Sequence, residues 1–413
     1  MSERSIHLHL ILSAIIRGAH TLEEISSECG GLYPFELREL LAGLIETGQV
    51  ILSEDTYNLS SPQIGHDDST QPDRGGTQFV DLPEPHPLDY DWRFDAETSK
   101  HVAETIVKET AYGTILLLGA PSVYLALARL RPSARAVLLD WSSELIHYLS
   151  HFNLPDSFTL VNHDVFSGVL WESSYVIDAV VCDPPWYPEY YTAFFAQATF
   201  VSQVGAAFAV SLLPINARPQ AHEDRWKIIE SAHKLGLHIQ TILPNTLRYE
   251  TPIFERMSLN SSGIEIIGNW RRGDLAIFRK VYSPTRESIL EALSSVMSGA
   301  RGQSQWAEML LGRYKIKLRG PFDDHQKVPE LISIEEGDIL QTVSRRYKRR
   351  ELVDLWLWDN RVFAVKGKAA FWAAVHTLAG RPMPQDLNSV PSANHDHALE
   401  LLGQILGAIQ HQR

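Results

Sequence analysis

Apolar residues in the first sixty positions recur at helical spacing, with Ile6, Leu10, Ile11, Ala14 and Ile15 on one face. A second, short helix is expected from Thr21, with Glu24 three residues on completing a capping box. A third follows Pro34 through Leu37, Leu40, Leu41, Leu44 and Ile45 and stops at Gly48. The stretch QVILSEDTYNLS then reads as a hairpin turning at Glu54-Asp55. Three helices and a two-stranded wing over residues 1–60 predict a winged-helix domain. Residues 61–90 are rich in Pro, Gly, Asp and Ser and lack a period, so they are expected to form a linker.

From Phe94 the pattern changes to apolar runs alternating with helical stretches. TILLLG, AVLLD, FTLVNHD, DAVVCDPP and AAFAVSLL read as buried parallel strands. VYLALARL, SELIHYLSHF, YYTAFFAQATFV and DRWKIIESAHKLG read as the helices of that unit, with HIQTILPN and GDLAIFRKVY as two closing strands. The fold class expected is α/β: a Rossmann-like, doubly wound sheet over residues 91–283, binding ligands at the C-terminal ends of its strands. Residues 284–413 are expected to form a helix-rich α+β accessory domain with a hairpin in LVDLWLWDNRVFAVKG.

The composition narrows the function. At 44% hydrophobic and 21% charged residues, the 413-residue chain is neither disordered nor fibrous, and it exceeds one compact core. No apolar run approaches the roughly 18 residues that would suggest a membrane span. The opening MSERSIHLHLILSAII is read as a first helix rather than a secretory leader, because a histidine breaks the apolar run and no small-residue cleavage site follows. Cys29 and Cys182 are too few for a disulfide framework, so a cytoplasmic location is expected. Seventeen histidines show no HExxH pattern, so no metal is expected. The net charge of −13 suits a cationic or neutral substrate better than a polyanion.

Residues 1–60 carry three basic against nine acidic residues, and Glu36 and Glu39 open the helix that would enter a DNA groove. That module is therefore expected to pack, forming a homodimer or a multiprotein complex, rather than to read DNA. One segment runs the other way. Arg345-Arg346-Tyr347-Lys348-Arg349-Arg350, near Trp356 and Trp358, is a candidate nucleic-acid contact, although Glu351 and Asp354 are adjacent partners for it.

The strongest chemical signal is Asp183-Pro184-Pro185-Trp186, directly after the run DAVVC. Two prolines fix φ and make the loop rigid. A carboxylate oxygen of Asp183 and the Pro184 carbonyl can both accept from one –NH2 group and aim its lone pair at an electrophilic carbon, while Trp186 offers a face to a planar base. An exocyclic amine conjugated to a ring needs such alignment, because it is otherwise a poor nucleophile. Tyr187, Glu189, Tyr190 and Tyr191 follow and are candidates to line an acceptor pocket, and Arg248-Tyr249-Glu250 are candidates to close over a substrate. No G-x-S-x-G elbow supports hydrolysis through an activated serine.

The tetrapeptide resembles the amine-methylating loop of class I S-adenosylmethionine-dependent amino-methyltransferases, the adenine-N6 enzymes included, whose pattern is Asp, Asn or Ser followed by Pro-Pro and an aromatic. The resemblance implies catalytic roles for Asp183, Pro184 and Trp186. Residues 6–280 more broadly resemble the branched-chain polyamine synthase family, the N4-bis(aminopropyl)spermidine synthases. Matching features are Phe94-Asp95, LLLGAPS, Asp140, the Asp-Pro-Pro loop, the helix from Asp224 to Ile229 and Ile242-Leu243-Pro244-Asn245. This second resemblance implies a winged helix ahead of a Rossmann-like domain, and aminopropyl transfer from decarboxylated S-adenosylmethionine to a polyamine.

The chain departs from that family at two places. Gly119-Ala120-Pro121-Ser122 stands where the family has an acidic G-D-D-D turn, and Trp186 stands where it can carry a second acid. Those anions would hold a polycationic acceptor. The wording APSVY resembles instead the loop of a family of adenine-N6 and lysine methyltransferases.

For an adenosine-bearing cofactor, Gly119 permits close backbone approach, with Ala120, Pro121 and Ser122 completing the loop. Asp140, twenty-one residues on at the tip of the next strand, is placed to accept the ribose hydroxyls, or else it only caps the helix SELIHYL together with Ser142. Asp164 ends the third strand near an adenine amino group, and Phe94 is a candidate to close over the cofactor. The expected activity is methylation of an amino nitrogen on a nucleobase, polyamine or protein side chain. Aminopropyl transfer and an inactive Rossmann scaffold in an assembly are the alternatives.

Overall fold

The structure is a computed structural model that describes residues 3–60, 82–110, 113–266, 268–300, 306–344 and 347–407. The chain divides into two compact units: Met1–Val80, Trp92–Thr251 and Ile266–Ala300 form one, and Asp81–Asp91, Pro252–Glu265 and Arg301–Arg413 the other.

The first unit begins with helices α1 (Glu3–Ile16), α2 (Leu22–Glu28) and α3 (Pro34–Glu46), followed by β1 (Val50–Ser53) and β2 (Thr56–Leu59). The Thr21 hydroxyl accepts from Glu24 N and the Glu24 carboxylate returns to Thr21 N, the expected capping box. β1 and β2 pair antiparallel with Ser53 opposite Thr56. The two residues between them, Glu54 and Asp55, take φ values of 48° and 64°, the left-handed pair of a tight hairpin turn. Ile11, Ala14, Ile25, Leu32, Leu37 and Leu41 close this small core.

A seven-stranded sheet follows. Its elements are α4 (Ala96–Glu109), β3 (Thr114–Leu118), α5 (Pro121–Leu130), β4 (Arg135–Asp140), α6 (Ser143–Leu149), β5 (Phe158–Asn162), β6 (Ile177–Cys182), α7 (Pro188–Val201), β7 (Ser202–Leu212), α8 (Ala221–Lys234) and β8 (Leu237–Arg248). α9 (Ile253–Ser261) belongs to the second unit, and the sheet resumes with β9 (Arg272–Lys280) before α10 (Arg286–Ala300). The strand order is β5-β4-β3-β6-β7-β9-β8. The first five strands are parallel, and β9 runs antiparallel to both neighbours. Every residue of β3 is buried, which is why TILLL is apolar without alternation. The order reverses between β3 and β6, the place where open sheets of this kind bind ligands, beyond the C-terminal ends of the strands.

In the second unit a five-stranded antiparallel sheet has the order β10-β11-β13-β14-β12, built from β10 (Trp306–Leu311), β11 (Tyr314–Arg319), β12 (Glu330–Ser333), β13 (Leu355–Leu357) and β14 (Val362–Lys366). α11 (Lys368–Leu378) and α12 (Ser392–Gly407) pack on it around Phe371, Trp372, Leu402 and Trp358. β13 and β14 are the expected hairpin.

Two expected boundaries differ from the structure. Of the linker 61–90, residues 61–81 lie outside the described residues, whereas 82–90 are ordered parts of the second unit. His86 is fully buried on the Trp356 carbonyl at 3.0 Å, and Asp89 pairs with Lys315 at 2.7 Å and with Lys317. The boundary at 283 shifts to 300, because α10 packs on α7 and buries Ile289 and Leu293. Among the described residues no helix is long and apolar enough to cross a membrane.

Candidate active site at the strand reversal

β3 and β6 are hydrogen-bonded neighbours with Leu118 opposite Cys182, so the residues that follow each strand emerge side by side. The Asp183 amide donates to the Leu118 carbonyl at 3.1 Å. Gly119 takes φ +61°, and a Cβ there would sit 3.2 Å from both the Asp183 carbonyl oxygen and the Phe194 ring. Glycine makes both the turn and this approach without strain. The two loops singled out in the sequence therefore share one wall.

Asp183 is half-buried, and its Oδ1 accepts from the Tyr249 hydroxyl at 2.9 Å. Tyr249 also contacts the Ser211 hydroxyl, and Trp186 Nε1 donates to Ser211 Oγ at 3.4 Å. Burial and the Asp183 charge push the Tyr249 phenol well above its ordinary range, so it remains a donor. Pro184 is buried and Pro185 half-buried. Trp186 is only 6% exposed, and its face is covered by Arg271, whose guanidinium carbon lies 3.8 Å from the ring centroid. Its carbonyl accepts from Arg218 Nη2 at 2.5 Å, and Arg218 is itself held by Asp224 at 2.9 Å. The open stacking face expected at Trp186 is thus filled from within the chain.

On the β4 side, Asp140 is half-buried and its Oδ1 accepts from Ser142 N at 2.9 Å, while Ser142 Oγ caps α6 through Leu145 N. Asn162 Nδ2 clamps the same strand end through the carbonyls of Asp140 (3.1 Å) and Trp141 (2.9 Å). Trp141, the next residue in the chain, is 37% exposed. Ala120, the N-cap of α5, and Pro121 and Ser122 in its first turn are all buried, with Pro121 at the helix start.

Other expected residues lie differently. Asp164 is exposed at the end of β5, and its Oδ1 closes a local turn on Phe166 N at 2.8 Å. Phe94 is buried with its ring 4.8 Å from that of Tyr249, so it packs on the tyrosine that holds Asp183. Arg248 is turned to Asp95, the N-cap of α4, at 3.1 Å. Tyr249, expected to close over substrate, is only 1% exposed. Tyr187 caps α7 under the Arg218 guanidinium at 5.1 Å, and Glu189 is half-buried in the first turn of that helix. In the basic segment Arg345 and Arg346 lie outside the described residues. Arg349 pairs with Glu335 at 2.8 Å, and Arg350 donates to the Val343 carbonyl and stacks over Trp356.

Sequence reasoning missed Ser211, Arg218 and Arg271. Ser211 had a readable signal: a lone hydroxyl near the end of the apolar run AAFAVSLL, on the strand next to β6. Arg271 had a weaker one, an Arg-Arg pair at the mouth of a buried strand.

Residues 91–216 match the model of a family described as "Probable N6-adenine methyltransferase". No curated protein matches the chain. Among solved structures, the chain is similar to the branched-chain polyamine synthase of Thermus thermophilus in complex with N4-aminopropylspermidine and 5'-methylthioadenosine, at 15% identity and a TM-score of 0.53, covering 67% of this chain and 89% of that one. The C9 mutein of that synthase gives the same identity and TM-score, with 87% of its chain covered. The CcbJ methyltransferase of Streptomyces caelestis is a more distant likeness, at 11% identity over 45% of this chain and 90% of that chain, with a TM-score of 0.33. The polyamine synthase thus shares this chain's fold, a mixed α/β architecture around a central, mainly parallel sheet.

Proposed function

We propose that this chain is an S-adenosylmethionine-dependent transferase that alkylates an amino nitrogen, and that methyl transfer is its reaction. The observation that carries this reading is the contact of the Gly119 turn with the Asp183-Pro184-Pro185-Trp186 loop at the β3/β6 reversal. The family match over residues 91–216, which spans both loops, supports it.

The residues present fit an adenosine-bearing donor. Gly119 allows backbone approach, and Asp140 supplies a half-buried carboxylate at the end of β4. When bound, the sulfonium supplies an already activated carbon. The chain's own residues bind, align and desolvate. Asp183 and the Pro184 carbonyl accept hydrogen bonds from the two N–H groups of the acceptor amine, which turns its lone pair away from them. The nitrogen takes the alkyl group from the sulfonium, leaves the donor as its thioether, and then gives up one of those protons to solvent. Two prolines keep both acceptors in place, so little reorganisation is needed at the moment of transfer.

Aminopropyl transfer is the second reading. The likeness to the polyamine synthase at a TM-score of 0.53 and the net charge of −13 favour it. The absence of acids at residues 120–122 and 186 favours methyl transfer. The N-terminal helices and hairpin are read as a winged helix used for packing, in a cytoplasmic enzyme.

Calorimetry with S-adenosylmethionine against its decarboxylated form tests the order of the readings. It is followed by mass analysis of an adenine-containing oligonucleotide and of spermidine after incubation with each donor. Methylated adenine is the expected product. Preference for the decarboxylated donor with aminopropylated spermidine reverses the order, and binding of neither donor leaves the scaffold alternative.

A further inference from the structure

The Asp183 carboxylate does not stand alone at the end of β6. A run of hydrogen bonds reaches it from three other places in the fold: the Trp186 indole, Ser211 on β7 and Tyr249 just beyond β8. The donor inventory fixes the direction of this run. An indole N–H only donates, so Ser211 Oγ accepts from Trp186. The Tyr249 hydrogen is committed to Asp183 Oδ1, an acceptor when ionised, so the Ser211 hydrogen goes to the Tyr249 oxygen. Every hydrogen in the run points toward Asp183.

The phenol is also mechanically held. Its ring lies between Phe94, at 4.8 Å, and Trp186, at 5.7 Å and 86°, and its backbone bridges to Phe94. Its amide donates to the Arg271 carbonyl at 3.2 Å. Such a ring has one place to put its hydroxyl.

We infer that Tyr249 is a positioning residue for the transfer reaction: its hydroxyl, set by Ser211, occupies Asp183 Oδ1 and so turns the rest of the carboxylate toward the acceptor amine. The inference rests on the proposed function, because it assigns Asp183 the task of holding that amine. It explains why a tyrosine beyond the family-matched residues 91–216 is buried against the loop. Trp186 then serves the carboxylate's orientation through Ser211 instead of presenting a platform.

The test uses the full chain with Tyr249→Phe, Ser211→Ala, Asp183→Ala, the Tyr249→Phe/Asp183→Ala pair and, for titration, Asp183→Asn. Turnover is followed with S-adenosylmethionine and an adenine-containing oligonucleotide, or with the decarboxylated donor and spermidine if only that pair reacts. Tyr249→Phe keeps the ring, and it is expected to lower kcat by about 10- to 100-fold with donor affinity within about two-fold, as for loss of an interaction felt in the transition state. Ser211→Ala should fall less. The double variant should be no slower than Asp183→Ala alone, because both act through one side-chain acceptor.

A Tyr249→Phe enzyme with unchanged kcat, beside an inactive Asp183→Ala, overturns the positioning role and leaves the proposed function standing. A fully active Asp183→Ala overturns both. A readout without turnover is the 13Cζ-tyrosine resonance that disappears in Tyr249→Phe. It should resist deprotonation past the ordinary tyrosine range in the wild type and titrate at lower pH in Asp183→Asn. Identical titration in the two proteins also overturns the inference.

Discussion

The guanidinium carbon of Arg271 lies 3.8 Å from the centroid of the Trp186 ring, and the same group lies 4.2 Å from Trp92. A planar cation against an indole is a favourable contact, strengthened by desolvation. Trp186 is therefore a packing centre for the loop as well as its last residue. Trp186→Ala should cost about 3–5 kcal/mol of stability, the usual range for removing a buried indole. Trp186→Phe should recover most of it, since a ring remains under Arg271. Denaturant titration of the two variants checks this; equal stability of Trp186→Ala and wild type would show that the stack contributes nothing.

Asp183→Ala should abolish turnover while leaving the donor dissociation constant within a few-fold, because Asp183 is assigned to the acceptor amine. Single-turnover kinetics beside calorimetry separates the two effects. A large loss of donor affinity would move Asp183 to the cofactor side.

Asp140 already accepts from Ser142 N, so its carboxylate has a structural task in the turn before α6. If it also accepts ribose hydroxyls, Asp140→Ala should weaken donor binding by about 1.5–3 kcal/mol through lost charge-assisted hydrogen bonds. An unchanged dissociation constant in a folded variant would reduce Asp140 to the turn alone.

Glu36, in the first turn of α3, has its carboxyl pushed up to about 7 by burial and by the neighbouring Glu39 charge, against a partial offset from Arg218. The folded state therefore holds that proton over a range in which the unfolded chain has released it. Stability falls as pH rises from about 4.5 to about 7 and levels off above. With solvent screening of a partly open group, the fall should be on the order of 1–2 kcal/mol. Glu36→Gln should flatten it in denaturant titrations across that window. An unchanged slope would place the titration elsewhere.

Much of the frame was readable because each element agrees with its own local chemistry. TILLL has no polar residue because β3 is buried on both faces, and Glu54-Asp55 turns the hairpin because both residues tolerate positive φ. Asp140 and Asp183, both read as acids closing apolar runs, lie at the C-terminal ends of β4 and β6, the strands on either side of β3. What escaped was pairing across the fold. Nothing near Trp186 in the chain foretells that Arg271, eighty-five residues on, covers its ring. Nothing near Arg248 foretells that its partner is Asp95. Asp164 reads like Asp140 in sequence, yet it closes a local turn at an exposed edge, because β5 is the outermost strand. Periodicity reports which face of an element is buried; it is silent on the partner.

Asp89 has a consequence for how the polypeptide is made. Its carboxylate is buried against Lys315 and Lys317, whose side chains are also almost wholly enclosed, and Glu308 completes the cluster. Lys315 leaves the ribosome 226 residues after Asp89. Throughout that interval the acid has no counter-ion from β11 and must stay hydrated, because an unpaired carboxylate is costly to enclose. The segment around His86 and Asp89 therefore cannot settle as it emerges. It is expected to close only after β11 has been synthesised. A nascent chain arrested before residue 315 should remain cleavable between residues 82 and 91, and a chain arrested well past β14 should not.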